Sequence, residues 1–251
     1  MNGELLNMAQ LVITTKHFLS DGKYNPEIIN VSYIGNVKYI FQEEKKLFGL
    51  RRKRERVTST LAWLNQLKEK KIEDIKLLTK DVVNDINLTA FSNGLDCIIV
   101  CFYNNRVTYW TKKWSFDKEK KHWNIRYTEE FYPNPHNGKP KFEDRTKNFA
   151  ETLKSIKGLA EEIDCNNFAN CFQKALDCLL SEVEISKILP SKNQRLFDSA
   201  QYAAVFGGMG SWNDSPPYMA QKKGLREEYD TLTNQLYREI MLACMYAVNE
   251  W

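Results

Sequence analysis

Apolar residues at Leu5, Ala9, Val12 and Ile13 fall on one helical face, and Asp21-Gly22 after them supplies a stop, so the chain opens on an amphipathic helix. Two β-rich runs follow, IINVSYI and VKYIFQ, separated by Gly35-Asn36, a spacing that predicts a hairpin with a type II′ turn. From Glu43 the composition changes to EEKKLFGLRRKRER, and Val57, Leu61, Leu64 and Leu67 then repeat at helical spacing. A long charged amphipathic helix is predicted there, with Ile72, Ile75 and Leu78 on a second, short one. The stretch DVVNDINLTAFSNG is turn-rich, with room for one more strand.

The strongest β pattern begins at Leu95. LDCIIVCFY, RVTYWTKKWSF and HWNIRYTEEF are joined by a turn at Asn104-Asn105 and a charged turn DKEKK, which predicts a three-stranded antiparallel meander. The first of these strands is apolar on both faces and should be central, whereas the other two alternate aromatic with polar residues and should leave one face wet. A loop holding Pro133, Pro135, His136, Gly138 and Pro140 then interrupts all periodicity. Beyond it, Leu153, Ile156, Leu159 and Ile163 make one helical stripe, and Phe168, Cys171, Phe172, Ala175, Leu176 and Leu179 another. Pro190 ends that stretch, Ser191 is placed to cap the next helix, and Gly207 and Gly208 stop it. Leu225, Tyr229, Leu232, Leu236, Ile240, Ala243, Cys244 and Ala247 mark a long last helix with one buried side.

Strands followed by helices give an α+β class. The expectation is a lobe over residues 1–142, with an antiparallel sheet of about five strands flanked by helices, and a lobe over 143–251 forming a bundle of about four helices.

Composition narrows the field only modestly. With 43% hydrophobic and 27% charged residues over 251 positions, the chain has material for a packed interior and lacks the bias of a disordered one. Its formal charge of +4 is too mild to name a partner. The first residues lack the basic flank, apolar stretch and cleavage site of a secretory signal, and no window holds the roughly 18 apolar residues of a membrane span. A cytoplasmic, non-membrane protein is expected. Cys97, Cys101, Cys165, Cys171, Cys178 and Cys244 form no CxxC pair and read as small core residues in a reducing compartment. His17, His122 and His136 pair neither with each other nor with cysteine at zinc-ligand spacing, so no metal or cofactor is expected.

Three stretches could carry function. Between two helices lies VFGGMGSWNDSPPY, where Gly207, Gly208 and Gly210 allow close backbone approach and Ser211, Asn213 and Asp214 bring polar groups beside Trp212. A small-ligand or nucleotide cradle is chemically conceivable there, although the lysine and spacing of a P-loop are missing. The plainer and preferred reading is a helix stop followed by a packed connection, with Trp212 filling a gap. FGGMGSWND, Phe206 to Asp214, resembles a segment of uncharacterised bacterial proteins, a resemblance that extends at most into the YDTLTNQLYREI helix after it. It implies a shared C-terminal helical module and no activity.

Arg51, Arg52, Lys53, Arg54 and Arg56 place five cations in six positions, enough to neutralise phosphates, though flanking Glu43, Glu44 and Glu55 also suit a solvated helix face. The hairpin carries Tyr109, Trp110, Trp114, Trp123 and Tyr127 among Lys112, Lys113, Lys121 and Arg126. Aromatics with arginine dominate protein-binding hot spots, and the period of two sends about half of these rings to the core. Of this set, Tyr109, Trp110, Trp114, Trp123 and Arg126 are the candidate partner-binding residues.

For catalysis, no nucleophile stands near a histidine, and the pairs Glu129-Glu130, Glu161-Glu162 and Glu227-Glu228 diverge because they are adjacent in sequence. The expected function is therefore a non-enzymatic protein that binds another protein inside a bacterial cell, in concrete form an inhibitor or immunity-type partner of a toxin or phage factor. A nucleic-acid-associated protein using residues 51–56 is the first alternative, and a small-ligand module or enzyme centred on 207–214 the second.

Overall fold

The computed structural model describes residues 3–29, 32–42, 55–79, 97–132, 138–180, 187–207 and 209–251. The fold is α+β. The chain divides into two compact units, residues 7–140 and residues 141–251, the latter taken with residues 1–6.

The first unit is built on a six-stranded mixed sheet. The strands are β1 (Ile34–Ile40), β2 (Arg56–Val57), β3 (Asp74–Thr79), β4 (Cys97–Tyr103), β5 (Arg106–Asp117) and β6 (His122–Phe131), in the spatial order β2-β1-β6-β5-β4-β3. The predicted meander is present: β4, β5 and β6 pair antiparallel, and β4 is buried along its whole length, as a central strand that is apolar on both faces should be. Helix α1 (Gly3–Asp21) ends where Gly22, at φ 74°, donates its amide to the Phe18 carbonyl. Helix α2 (Thr60–Glu69) starts where the Ser59 side chain accepts from the Ala62 amide.

One sheet face carries an aromatic core. Tyr39 of β1 stacks between Trp63 of α2 at 4.9 Å and Tyr127 of β6 at 5.4 Å, while Trp110 of β5 meets Phe41 and Trp63 edge-on at 5.0 and 5.6 Å. Edge-on and offset contacts of this kind add about 0.5–1.5 kcal/mol apiece beyond area burial. The Tyr127 hydroxyl donates to Asn7 of α1 at 2.5 Å, fixing that helix on the same face. Burial pushes the Tyr39 phenol far above its ordinary range, with a hydrogen bond to Thr60 opposing the shift. Glu129 is buried on this face, where it accepts from Thr108 and from the Gln42 amide, with Lys70 3.8 Å away. Its lone pairs are thereby used within the core.

Several expectations for this unit are corrected. No hairpin turns at Gly35-Asn36. Strand β1 runs straight through with an irregular register and pairs parallel with β6, so the sheet is mixed rather than purely antiparallel. Gly35 serves a close approach instead of a turn, since a Cβ there would fall inside the imidazole of His122. The long helix expected to run through Val57 is not one element: Val57 lies in β2, paired with Tyr39, and the helix begins only after the Ser59 cap. Ile75 and Leu78 lie in strand β3, not on a helix. Both sheet faces are covered at β3, and continuous burial erases the alternation that marks a strand. Residues 43–54, the segment DVVNDINLTAFSNG, and Pro133, Pro135 and His136 lie outside the described residues.

The second unit is a helical bundle. Helices α3 (Thr146–Glu162), α4 (Asn166–Leu180), α5 (Ser191–Ala203) and α7 (Arg226–Asn249) close a ring in which α3 packs on α4, α4 on α5, α5 on α7, and α7 back on α3. Their buried stripes are the predicted ones: Leu153, Ile156 and Leu159 on α3, Phe168, Phe172 and Ala175 on α4, and Tyr229, Leu236, Ile240 and Ala243 on α7. Polar side chains tie the ring. Ser199 donates to the Ala175 carbonyl at 2.8 Å, and Asn193 donates to the carbonyls of Ala247 and Glu250 at 3.1 and 3.2 Å, closing the end of α7. Ser191 is the first residue of α5 rather than its cap, which is Pro190, and no side-chain capping bond is made. A short helix missed in the sequence, α6 (Pro216–Lys222), interrupts the glycine-rich connection, its two prolines pre-set for a first helical turn.

Candidate functional site

Strands β5 and β6 hold both the rings and the cations of the hairpin, and the period of two sorts them onto opposite faces. Lys113 stands opposite Arg126 across the β5–β6 pair, and Arg126 stands opposite Lys38 across the β6–β1 pair. Three exposed cations thus form one row across three strands, on the face away from the aromatic core. Arg56 reaches the same face, because it pairs with Ile40, two residues along β1 from Lys38. Among the described residues no carboxylate forms an ion pair with Lys38, Lys113 or Arg126. Like charges placed directly opposite destabilise a sheet, so the row is held at a cost to the fold.

A cavity of about 510 Å³ opens over this row. Its other polar lining is Asn36, Thr58, Ser115 and Asn124. The Asn36 amide donates to Asn124 at 2.9 Å, bracing β1 against β6 beside the cations. Lys112, one position from Lys113, faces the other way and donates to the carbonyl and sulfur of Cys97 at 3.3 and 3.0 Å.

The opposite face ends in an exposed aromatic cluster at the hairpin tip. Trp114 lies 6.0 Å from Trp123 and 6.5 Å from Tyr33, and Trp123 lies 5.2 Å from Phe116. Tyr33, Phe116 and Trp123 are 41%, 49% and 37% exposed, unusual for rings of this size. The Trp114 indole N–H is buried with no acceptor among the described residues. Of the rings named from the sequence, Tyr109 and Trp110 lie deeper in the sheet: Tyr109 is 8% exposed and Trp110 fully enclosed. Trp123 and Trp114 stay near the surface, joined by Tyr33 and Phe116.

The glycine-rich segment is bound up in its own hydrogen bonds. Trp212 is fully buried among Phe168, Phe172 and Tyr229, and its indole donates to Thr233 at 2.9 Å while its carbonyl accepts from the Tyr229 hydroxyl at 2.7 Å. Asn213 accepts from the Gly207 amide and the Ser211 hydroxyl and donates back to the Gly207 carbonyl. Asp214 accepts from the Gly210 amide at 2.8 Å. Gly208 lies outside the described residues. The polar groups that made this stretch a ligand candidate thus fold it onto itself.

Of the basic run, only Arg56 falls within the described residues, while Arg51, Arg52, Lys53 and Arg54 do not. Lys38 and Lys113 were missed as site residues. The signal for Lys113 was present, because the DKEKK turn fixes a register that sets it opposite Arg126. Lys38 had no such signal, since its neighbour in the row lies 88 positions away in sequence and a turn was expected nearby.

A cleft of about 370 Å³ lies over α3 and α4, but its Lys157 pairs with Glu161 and its Gln173 bonds Asp177. Among the described residues no group of three or more His, Cys, Asp or Glu side chains is placed to hold a metal ion, and no helix is long and apolar enough to cross a membrane.

This geometry defines an α+β protein with two distinct exposed surfaces at one end of its sheet. Comparison with protein-family models, curated proteins and solved structures finds no match to the chain.

Proposed function

We propose that this is a non-enzymatic binding protein that docks another protein through the aromatic tip of the β5–β6 hairpin. The observation that carries the reading is the contiguous exposed cluster of Tyr33, Phe116 and Trp123 packed around Trp114. Large rings held rigid by one another contribute wide contact area at little conformational cost, which is why they dominate binding hot spots.

Its concrete form is an inhibitor or immunity-type partner of a toxin or phage factor, acting in a bacterial cytoplasm. That narrower form rests on the resemblance of Phe206–Asp214 to bacterial segments. The test is affinity capture of the tagged chain and of its Trp123→Ala/Phe116→Ala variant at moderate and high salt. A stoichiometric protein that survives high salt with the parent chain and is lost from the variant supports the reading. Equal recovery with both chains, or none with either, overturns it.

A further inference from the structure

The cationic face of the sheet is separate from the aromatic tip and has its own chemistry. Lys38, Arg126 and Lys113 stand in register across β1, β6 and β5 under the cavity of about 510 Å³, with Thr58 and Ser115 beside them. These are the side-chain types that contact phosphate oxygens in nucleic-acid complexes: cations for charge, hydroxyls for hydrogen bonds. The exposed rings that would stack on unpaired bases lie on the other face. Protein interfaces generally bury apolar or aromatic residues at their centre, and the centre of this row is instead three charges.

We propose that the Lys38–Arg126–Lys113 row binds the phosphate backbone of double-stranded nucleic acid without reading its sequence. Adjacent strands of a sheet lie about 4.8 Å apart, so the three cations converge on a span of about 10 Å. Only a dense anion array supplies several charges over that length. A duplex carries one negative charge per about 1.7 Å of its axis, whereas a folded acidic surface rarely concentrates charge so closely. Arg56, which pairs with Ile40 and so lies diagonal to Lys38 on the same face, adds a cation near the sheet edge outside the row itself. A ligand of this kind also offsets the like-charge repulsion within the row, which no carboxylate among the described residues relieves.

The test is titration of the full chain into a fluorescent 20-base-pair duplex of mixed sequence between 50 and 200 mM salt, beside a triple variant, K38Q/K113Q/R126Q. All three side chains are exposed, so the variant should melt at or above the parent temperature. The parent should lose roughly 40-fold in affinity over that salt range, the loss expected for three neutralised phosphates. Its log–log salt slope should flatten by about 0.9 for each cation removed, and a second duplex of unrelated sequence should bind equally well. Absence of duplex binding at 50 mM salt overturns the proposal, as does an unchanged salt slope in the triple variant. Tighter binding of a polyglutamate peptide than of the duplex also overturns it, in favour of an acidic protein partner. The Trp123→Ala/Phe116→Ala variant should bind duplex like the parent, so this outcome stands or falls apart from protein docking at the tip.

Discussion

Arg145, at the entrance to α3, grips Glu239 of α7 with two hydrogen bonds, 3.0 Å from Nε and 2.6 Å from Nη2. The carboxylate is almost completely buried, whereas the guanidinium keeps a partly solvated edge. The Glu239 hydrogen bond raises the pKa of Arg145 against the opposing effect of desolvation, so the guanidinium stays charged at every relevant pH. The two members should therefore not be equivalent on removal. Arg145→Ala leaves a buried charge unpaired and should cost about 3–5 kcal/mol. Glu239→Gln leaves a partly solvated cation and should cost distinctly less. Urea unfolding of both variants measures the asymmetry, and equal losses would contradict it.

Trp212 and Met209 test whether the FGGMGSWND stretch is mainly packing. Trp212 is fully buried and anchored at both its indole and its carbonyl, whereas Met209 is 98% exposed. Trp212→Ala should destabilise by about 3–5 kcal/mol, the usual cost of emptying a large aromatic site. Met209→Ala should stay within about 0.5 kcal/mol of the parent, as exposed substitutions do. Thermal melts of the two variants are sufficient. A large loss at Met209 would mean that its side chain is engaged by something outside this chain.

Asp198 on α5 has its carboxyl pushed above the ordinary range by burial, with the hydrogen bond from Gln194 only partly opposing it. A raised folded-state value means that the native chain holds this proton more tightly than the unfolded chain does. Stability therefore falls as pH rises from the unfolded value through the folded one, and the penalty is fully present at neutral pH. Asp198→Asn retains an acceptor for Gln194 and removes the buried charge. Its melting temperature should exceed the parent's at pH 7, and the gap should shrink toward pH 3. A gap that widened on acidification would reverse the sign of the argument.

How far the sequence reveals this fold depends on whether burial is one-sided. Helices α3, α4 and α7 bury one side, so Leu153 to Ile163 and Tyr229 to Ala247 announce them by period, whereas α1 is buried on most sides from Asn7 to Thr15 and the single stripe Leu5 to Ile13 shows only part of its burial. Strands β5 and β6 are one-sided over much of their length and were equally plain. Strand β3 is covered on both faces, and Ile75 and Leu78 there carry no alternation to read. Strand β1 was hidden for another reason: Gly35-Asn36 has the composition of a hairpin turn, while the actual need for Gly35 comes from His122, far along the chain. The candidate surfaces follow the same logic. Trp123, Trp114, Lys113 and Arg126 sit on one local hairpin and could be sorted by its register, but Lys38 and Tyr33 join them only through the parallel pairing of β1 with β6.

That parallel pairing also sets an order of events for a chain made from its amino end. Lys113 and Arg126 are 13 positions apart and meet as soon as one hairpin closes, whereas Asn36 must wait for Asn124, 88 positions later. Contacts of such long sequence separation close late, because the loop entropy must be spent before they return anything. One edge of β1 has its partner, β2, within 20 positions, whereas the edge that pairs with β6 has none until β6 has been made. A nascent chain halted before β6 would have neither the third cation of the row nor the bracket of Tyr33 against the aromatic tip, so both surfaces mature together, in one late step.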